Sequence, residues 1–378
     1  MKQTSRIIST YAADVSGVCS ALYELGGMTV MHDASGCNST YNTHDEPRWY
    51  DMDSMVYISA LSEMEAVMGD DEKLVGDIVE TALALRPNFI AIAGTPIPMV
   101  IGTDFAAVAA MVEQRSGIPA MGLNTNGMHS YLVGAGMAFE AFARRFCERS
   151  AVKTKACSVN ILGLTPLDFS VNGSAQAVKA LLEEAGLEVV STWAMGGSFE
   201  QLAKAGQAQV NLVASYAGLP AAKALQELFG TPYVVGTPVG KSFAGQIVAS
   251  LRHAAKTGES VVAYQGHAEG EGAEILLLGE SVMAGSLAHA LFLERGKRVR
   301  VVCPLETESA LLADGALQVG DEDELIPLLA QAKTIVADPL YRPICPSKAT
   351  FVPLAHEAFS GRIYRRDIPN LIGRELNI

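Results

Sequence analysis

The chain has no Cys-x-x-Cys pair, no run of eighteen uncharged apolar residues, and few charges. Charged residues make up 18% of its 378 positions, against 49% hydrophobic. Each shortage excludes something. Without paired cysteines there is no ordinary zinc motif, and six cysteines scattered from position 19 to position 345 are too sparse for a disulfide framework. The thiols therefore read as reduced. Without a long apolar run no transmembrane helix is expected. Asp14 interrupts the short apolar stretch near the N-terminus, so no signal peptide can be read and a cytoplasmic location is expected. Basic residues number 28 against 41 acidic ones, a net charge of −13, which speaks against nucleic acid as a partner.

Familiar catalytic motifs are missing as well. There is no Gly-x-Ser-x-Gly elbow, no His-Glu-x-x-His helix, and no Gly-x-Gly-x-x-Gly after a first strand. Gly236-Thr237-Pro238-Val239-Gly240-Lys241-Ser242 comes nearest to a phosphate loop, but it has three residues between its glycines where four are needed. It reads as a turn followed by a helix. His253 and His289 fall in helical stretches and read as ordinary surface or core residues. So little charge on so apolar a chain also implies that some surface is covered by another subunit.

What the chain does have is alternation. Short β-rich runs and longer helical patterns follow each other nearly throughout, the signature of parallel sheets covered by helices. The expected fold is α/β: three doubly wound, Rossmann-like parallel-sheet domains around a central cleft, at residues 1–150, 151–268 and 269–378. The first takes strands from Met28–His32, Val56–Ala60, Asn88–Ala93 and Pro119–Leu123, with helices over Asp71–Leu85, Asp104–Arg115 and His129–Glu148. The second restarts with the apolar run Cys157–Leu164, and the third with Glu274–Leu278 after the glycine-rich linker Gly266–Gly272. The last forty residues hold Pro339, Pro343, Pro346 and Pro353 and read as loop packed back on the body. In such folds ligands bind where strand C-termini open onto a crevice, so a site is expected where the three domains meet.

The most informative stretch is Met31-His32-Asp33-Ala34-Ser35-Gly36-Cys37-Asn38. It sets a cysteine in a glycine-containing turn just after a strand, where a thiolate can point out of the fold and backbone N–H groups can stabilise it. Iron–sulfur clusters need thiolates held in this way.

Read with its flanks, this segment resembles component 1 of nitrogenase and its relatives. The family's His-Gly-x-x-Gly-Cys turn matches His32–Cys37, and its preceding small-residue helix matches Gly17-Val18-Cys19-Ser20-Ala21-Leu22. Leu61–Gly69 with Lys73-Leu74, Val100-Ile101-Gly102-Thr103-Asp104 and Phe359-Ser360-Gly361 extend the likeness along most of the chain. The resemblance implies an oxidoreductase: a subunit of a two-component reductase that shares a 4Fe-4S cluster across a subunit interface and takes electrons from an ATP-dependent iron protein. It also implies three cysteine ligands in a full cluster-binding subunit. Here two of those positions fall near Ala13 and Pro96, and only Cys37 is kept.

On that likeness this chain is the one-ligand partner of a homologous three-cysteine subunit. The alternative is a pair with a second copy of itself, using Cys37 and Cys19 from each chain, although Cys19 reads as a core residue. Nitrogenase's large active-site cofactor is not expected, because Cys157 sits on a buried strand and Tyr364 stands where the late histidine would be. Cys303 and Cys345 read as buried structural thiols, and His356 as a surface loop residue with a pocket role as the alternative. Two other functions remain: a scaffold for cluster or cofactor assembly, and a cluster-less small-molecule-binding protein of the same build.

Overall fold

The computed structural model describes residues 7, 13–36, 46–266 and 273–376. Cys37 and most of the Gly266–Gly272 linker fall outside them. Three parallel sheets follow one another along the chain. The first contains β1 (Met28–His32), β2 (Met55–Ile58), β3 (Ile90–Gly94) and β4 (Ala120–Leu123), in the order β2-β1-β3-β4. The second contains β5 (Ser158–Leu164), β6 (Glu188–Ala194), β7 (Val210–Val213), β8 (Tyr233–Val235) and β9 (Val261–Val262), in the order β6-β5-β7-β8-β9. The third contains β10 (Ile275–Leu278), β11 (Val299–Cys303), β12 (Leu317–Gln318), β13 (Thr334–Ala337) and β14 (Thr350–Pro353), in the order β12-β11-β10-β13-β14.

These orders put a topological switch point between β1 and β3, between β5 and β7, and between β10 and β13. The central strands are buried along their whole length, as expected of apolar strands covered by helices on both faces. The first sheet shows this directly. Ile90 and Ile92 pack under the helices Asp71–Leu85 and Phe105–Ser116, while Phe89 and Ala91 join the larger core with the helices Asp14–Leu22 and Tyr131–Phe146.

Those last two helices cross unusually closely. A Cβ on Gly17 would lie 2.0 Å from the Tyr131 carbonyl oxygen, and one on Gly134 would lie 1.8 Å from the Asp14 carbonyl oxygen. Only glycine permits that approach, and every residue of Asp14–Leu22 is buried as a result. An aromatic cluster then joins the first and second sheets. Phe142 meets Trp193 edge-on at 5.7 Å, and Phe89 stacks on Phe199 at 5.9 Å.

The edges depart from the sequence reading. β9, β12 and β14 are short edge strands that the pattern did not signal. Pro353 closes β14, which is tolerated because that strand is outermost. Cys157 precedes β5 instead of lying on it, half-buried at the strand's N-terminal end and therefore opposite the C-terminal crevice. The tail does pack back: Ile372 bridges Val239 and Gly240, and the Arg295 guanidinium donates to the Leu376 carbonyl at 2.8 Å.

Candidate functional site

His32 ends β1 at the first switch point. Its Nδ1 lies 2.8 Å from Ser59 Oγ beyond β2, and its carbonyl accepts from Thr95 Oγ1 beyond β3 at 3.2 Å. Burial pushes the imidazole's pKa down, so it is neutral at neutral pH. The turn leaving this strand carries Cys37, which lies outside the described residues. Ala13 and Pro96, the other two positions that the resemblance marks, lie on segments that both adjoin the 126–127 turn. Asp14, next to Ala13, accepts from Asn126 N at 2.9 Å and Gly127 N at 2.8 Å, and a Cβ on Gly127 would lie 2.6 Å from Pro96 Cδ. Neither Ala13 nor Pro96 carries a thiol.

Cys19 sits in the middle of the helix Asp14–Leu22 with no exposed surface. Burial, with the Glu46 carboxylate adding to it, pushes its thiol far above the usual range. Among the described residues no group of three or more His, Cys, Asp or Glu side chains is arranged to hold a metal ion.

Beside this edge two short helices turn apolar side chains outward. Glu63–Met68 is fixed by a capping box between Ser62 and Glu65, buries none of its residues, and leaves Met64, Val67 and Met68 72–78% exposed. Pro96–Ile101 packs against it and leaves Val100 78% exposed. Together the two helices leave adjoining apolar side chains exposed beside this edge.

The central cleft gathers polar groups from far-apart segments. Tyr131 donates its hydroxyl to Asp168 Oδ1, whose Oδ2 accepts from Thr165 Oγ1 at 2.8 Å. Glu280 caps the helix Ser281–Arg295 through Val282 N and Met283 N and also accepts from Tyr216 N at 3.1 Å. Burial, reinforced by the Asp168 charge, pushes Glu280 up to about 7. Asp338 accepts from Leu340 N, His356 N and Ser360 Oγ. Glu357 pairs with Arg365 and accepts from Ser170 Oγ at 2.8 Å. The loop after β11 closes the cleft: Glu306 binds His129 Nδ1 and Ser130 N at 2.7 Å, and Glu308 binds Lys223.

His356 belongs to this cleft and not to a surface loop, lining the same cavity as Asp168, Glu280 and Asp338. None of those acids stood out in the sequence, since each sits alone and none belongs to a motif. One signal was available: all three follow the C-terminal ends of strands flanking a switch point. Cys303 is buried with its thiol directed at the Leu305 carbonyl, and Cys345 is half-buried beside the Tyr341 carbonyl. Tyr364 is 37% exposed. The Gly236–Ser242 stretch is a turn leading into the helix Lys241–Thr257, whose first N–H groups are taken by Glu294 Oε1 at 2.6 and 2.9 Å. A carboxylate of the same chain thus occupies the place where a phosphate would bind.

Comparison with known proteins agrees with this architecture. Residues 17–303 match the family described as nitrogenase component 1 type oxidoreductase. The nitrogenase iron-molybdenum cofactor biosynthesis protein NifE of Rhodobacter capsulatus is 29% identical over 194 residues, covering 50% of this chain and 40% of NifE. A light-independent protochlorophyllide reductase subunit of Nostoc punctiforme is 29% identical over 182 residues, covering 46% and 36%. The matched stretch therefore spans less than half of either relative. A structure titled "Nitrogenase Cp1 at pH 6.5" superposes with a TM-score of 0.71 at 18% identity, over 94% of this chain and 87% of that one. With three parallel sheets of this order and a family match over most of its length, the chain belongs to the nitrogenase component 1 type oxidoreductase family.

Proposed function

We propose that this chain is a subunit of a nitrogenase-like two-component reductase, contributing Cys37 to a 4Fe-4S cluster shared with a partner subunit. The observation that carries the reading is the exposed apolar face of Glu63–Met68 and Pro96–Ile101, beside the edge from which the Cys37 turn departs. A face of that kind calls for a covering partner, either a homologous three-cysteine subunit or a second copy of this chain. Ala13 and Pro96 leave the described residues of this edge unable to hold such a group alone, which fits a shared ligand set and not a resident one. When bound, the cluster supplies one-electron transfer; His32, Ser59 and Thr95 fix the strand end that presents the cysteine. An iron protein that spends ATP would deliver the electrons, in keeping with the blocked phosphate loop. A scaffold role in cofactor assembly is the second reading, favoured by the likeness to NifE, which is named for cofactor biosynthesis.

The test is anaerobic purification, alone and with a three-cysteine homologue, followed by iron and sulfide counts and electron paramagnetic resonance of the reduced state. About one four-iron cluster per dimer, lost or altered in Cys37→Ala, is the expected result. Iron-free protein in every combination overturns the proposal. A cluster that transfers to other proteins without catalytic turnover moves the assignment to the scaffold.

A further inference from the structure

The acids of the cleft are almost fully occupied, and that narrows what else the cavity can take. Asp338 and Glu280 spend their oxygens on backbone N–H groups and serine hydroxyls, so they act mainly as caps for the segments that follow them. No metal-holding group exists among the described residues, and a cation finds no free carboxylate pair. Among the described residues that line this cavity, one donor is left over. His356 Nδ1 accepts the Ala358 N–H at 3.2 Å, which places the ring proton on Nε2. That Nε2 is buried, has no hydrogen-bond partner among the described residues, and lies 3.7 Å from Asp168 Oδ1. Asp168 Oδ1 accepts from Tyr131 and keeps a second lone pair.

An unmet donor and a spare acceptor at that separation match a ligand edge that accepts and donates side by side: a lactam, a primary amide or a hydroxyl. The remaining wall is hydrocarbon, including Leu278, Met283, Leu287 and Phe359. The cavity holds about 50 Å³, room for a molecule of a few heavy atoms. We infer that the cavity between the second and third sheets is a binding site for a small uncharged molecule, presenting an amide-like or hydroxyl edge to His356 and Asp168 and an apolar body to the wall. The site needs the cleft and not the cluster, so it stands apart from the interface reading.

The experiment uses the full chain purified in air, free of iron, with acetamide, a primary amide small enough for the cavity, as the probe and ligand-observed NMR as the readout. Acetamide binds, and acetone, which has the same number of heavy atoms and no donor, binds about five-fold or more weakly. His356→Leu weakens the probe about ten-fold, and His356→Gln, which restores an N–H donor, stays within about three-fold of the parent. Absence of probe binding overturns the inference, as does equal binding of the two probes or indifference to His356→Leu in a variant whose melting is cooperative. The two-probe comparison needs no variant and stays decisive if His356→Leu fails to fold. Because iron is absent by design, either failure leaves the cluster test above unaffected.

Discussion

Arg48 and Ala194 are joined between the first and second sheets: the buried guanidinium donates from Nη1 to the Ala194 carbonyl at 3.2 Å. The same side chain binds Glu46 at 2.6 Å, Glu24 at 2.9 Å and the Ser20 carbonyl at 2.8 Å, and covers the Tyr23 ring at 4.6 Å. Replacing it with methionine leaves two carboxylates buried without their cation, so Arg48→Met should cost about 3–5 kcal/mol. Arg48→Lys should recover part of this, keeping the charge without the fork. Urea unfolding of the three proteins measures it. A midpoint unchanged in Arg48→Met would mean the network contributes nothing.

The close helix crossing gives a second expectation. Gly17→Ala or Gly134→Ala forces a methyl into a backbone carbonyl, and neither backbone can retreat without moving the switch point beside it. Each should destabilise the chain by about 3 kcal/mol. Gly76→Ala, on the outer helix Asp71–Leu85 where an added Cβ meets nothing within 4 Å, should be neutral or stabilising. Melting temperatures of the three variants decide it.

The His129–Glu306 pair predicts a pH dependence. Its hydrogen bond to Glu306 raises the His129 pKa, so its contribution is full below the unfolded value of about 6.5 and fades as pH rises through the folded one. Burial opposes ionisation of Glu306, but the Ser130 amide and His129 together outweigh it and lower the pKa; its contribution fades only as the solution is acidified through that folded value. The gap in stability between the parent and His129→Gln should therefore be wider near pH 6 than near pH 8.5. The site is 46% exposed on the histidine side, so the gap should stay under about 1 kcal/mol. A gap that widens toward alkaline pH contradicts the pairing.

Cys19 and Cys37 should separate cleanly. Cys19→Ala removes a buried atom from the core at a cost on the order of 1 kcal/mol and should leave the iron content of the complex unchanged. Iron lost on Cys19→Ala, in a variant that still folds, would restore Cys19 as a ligand.

Parts of this molecule could be read from its sequence to the residue. β1 and the helix Asp71–Leu85 begin and end where periodicity puts them, because apolar runs with clear caps leave one solution. β9 and β12 have two residues each, and β14 ends in proline; strands that short carry no period to detect. The cleft resisted for another reason. Tyr131, Asp168, Glu280 and His356 lie on segments separated by dozens of residues, and only the stacking of three sheets brings them together. A carboxylate that caps a helix also looks like any other acidic residue in one dimension.

The tail has a mechanical consequence. Ile372 pairs with Val239 and Gly240 beside the second sheet, while Leu376 is tethered to Arg295 of the third. The polypeptide thus returns across the gap it has already crossed once and works as a strap. Prying the two lobes apart must first peel the strap away, so the Gly240 amide, bonded to the Leu371 carbonyl, should exchange its hydrogen in step with any opening of the cleft.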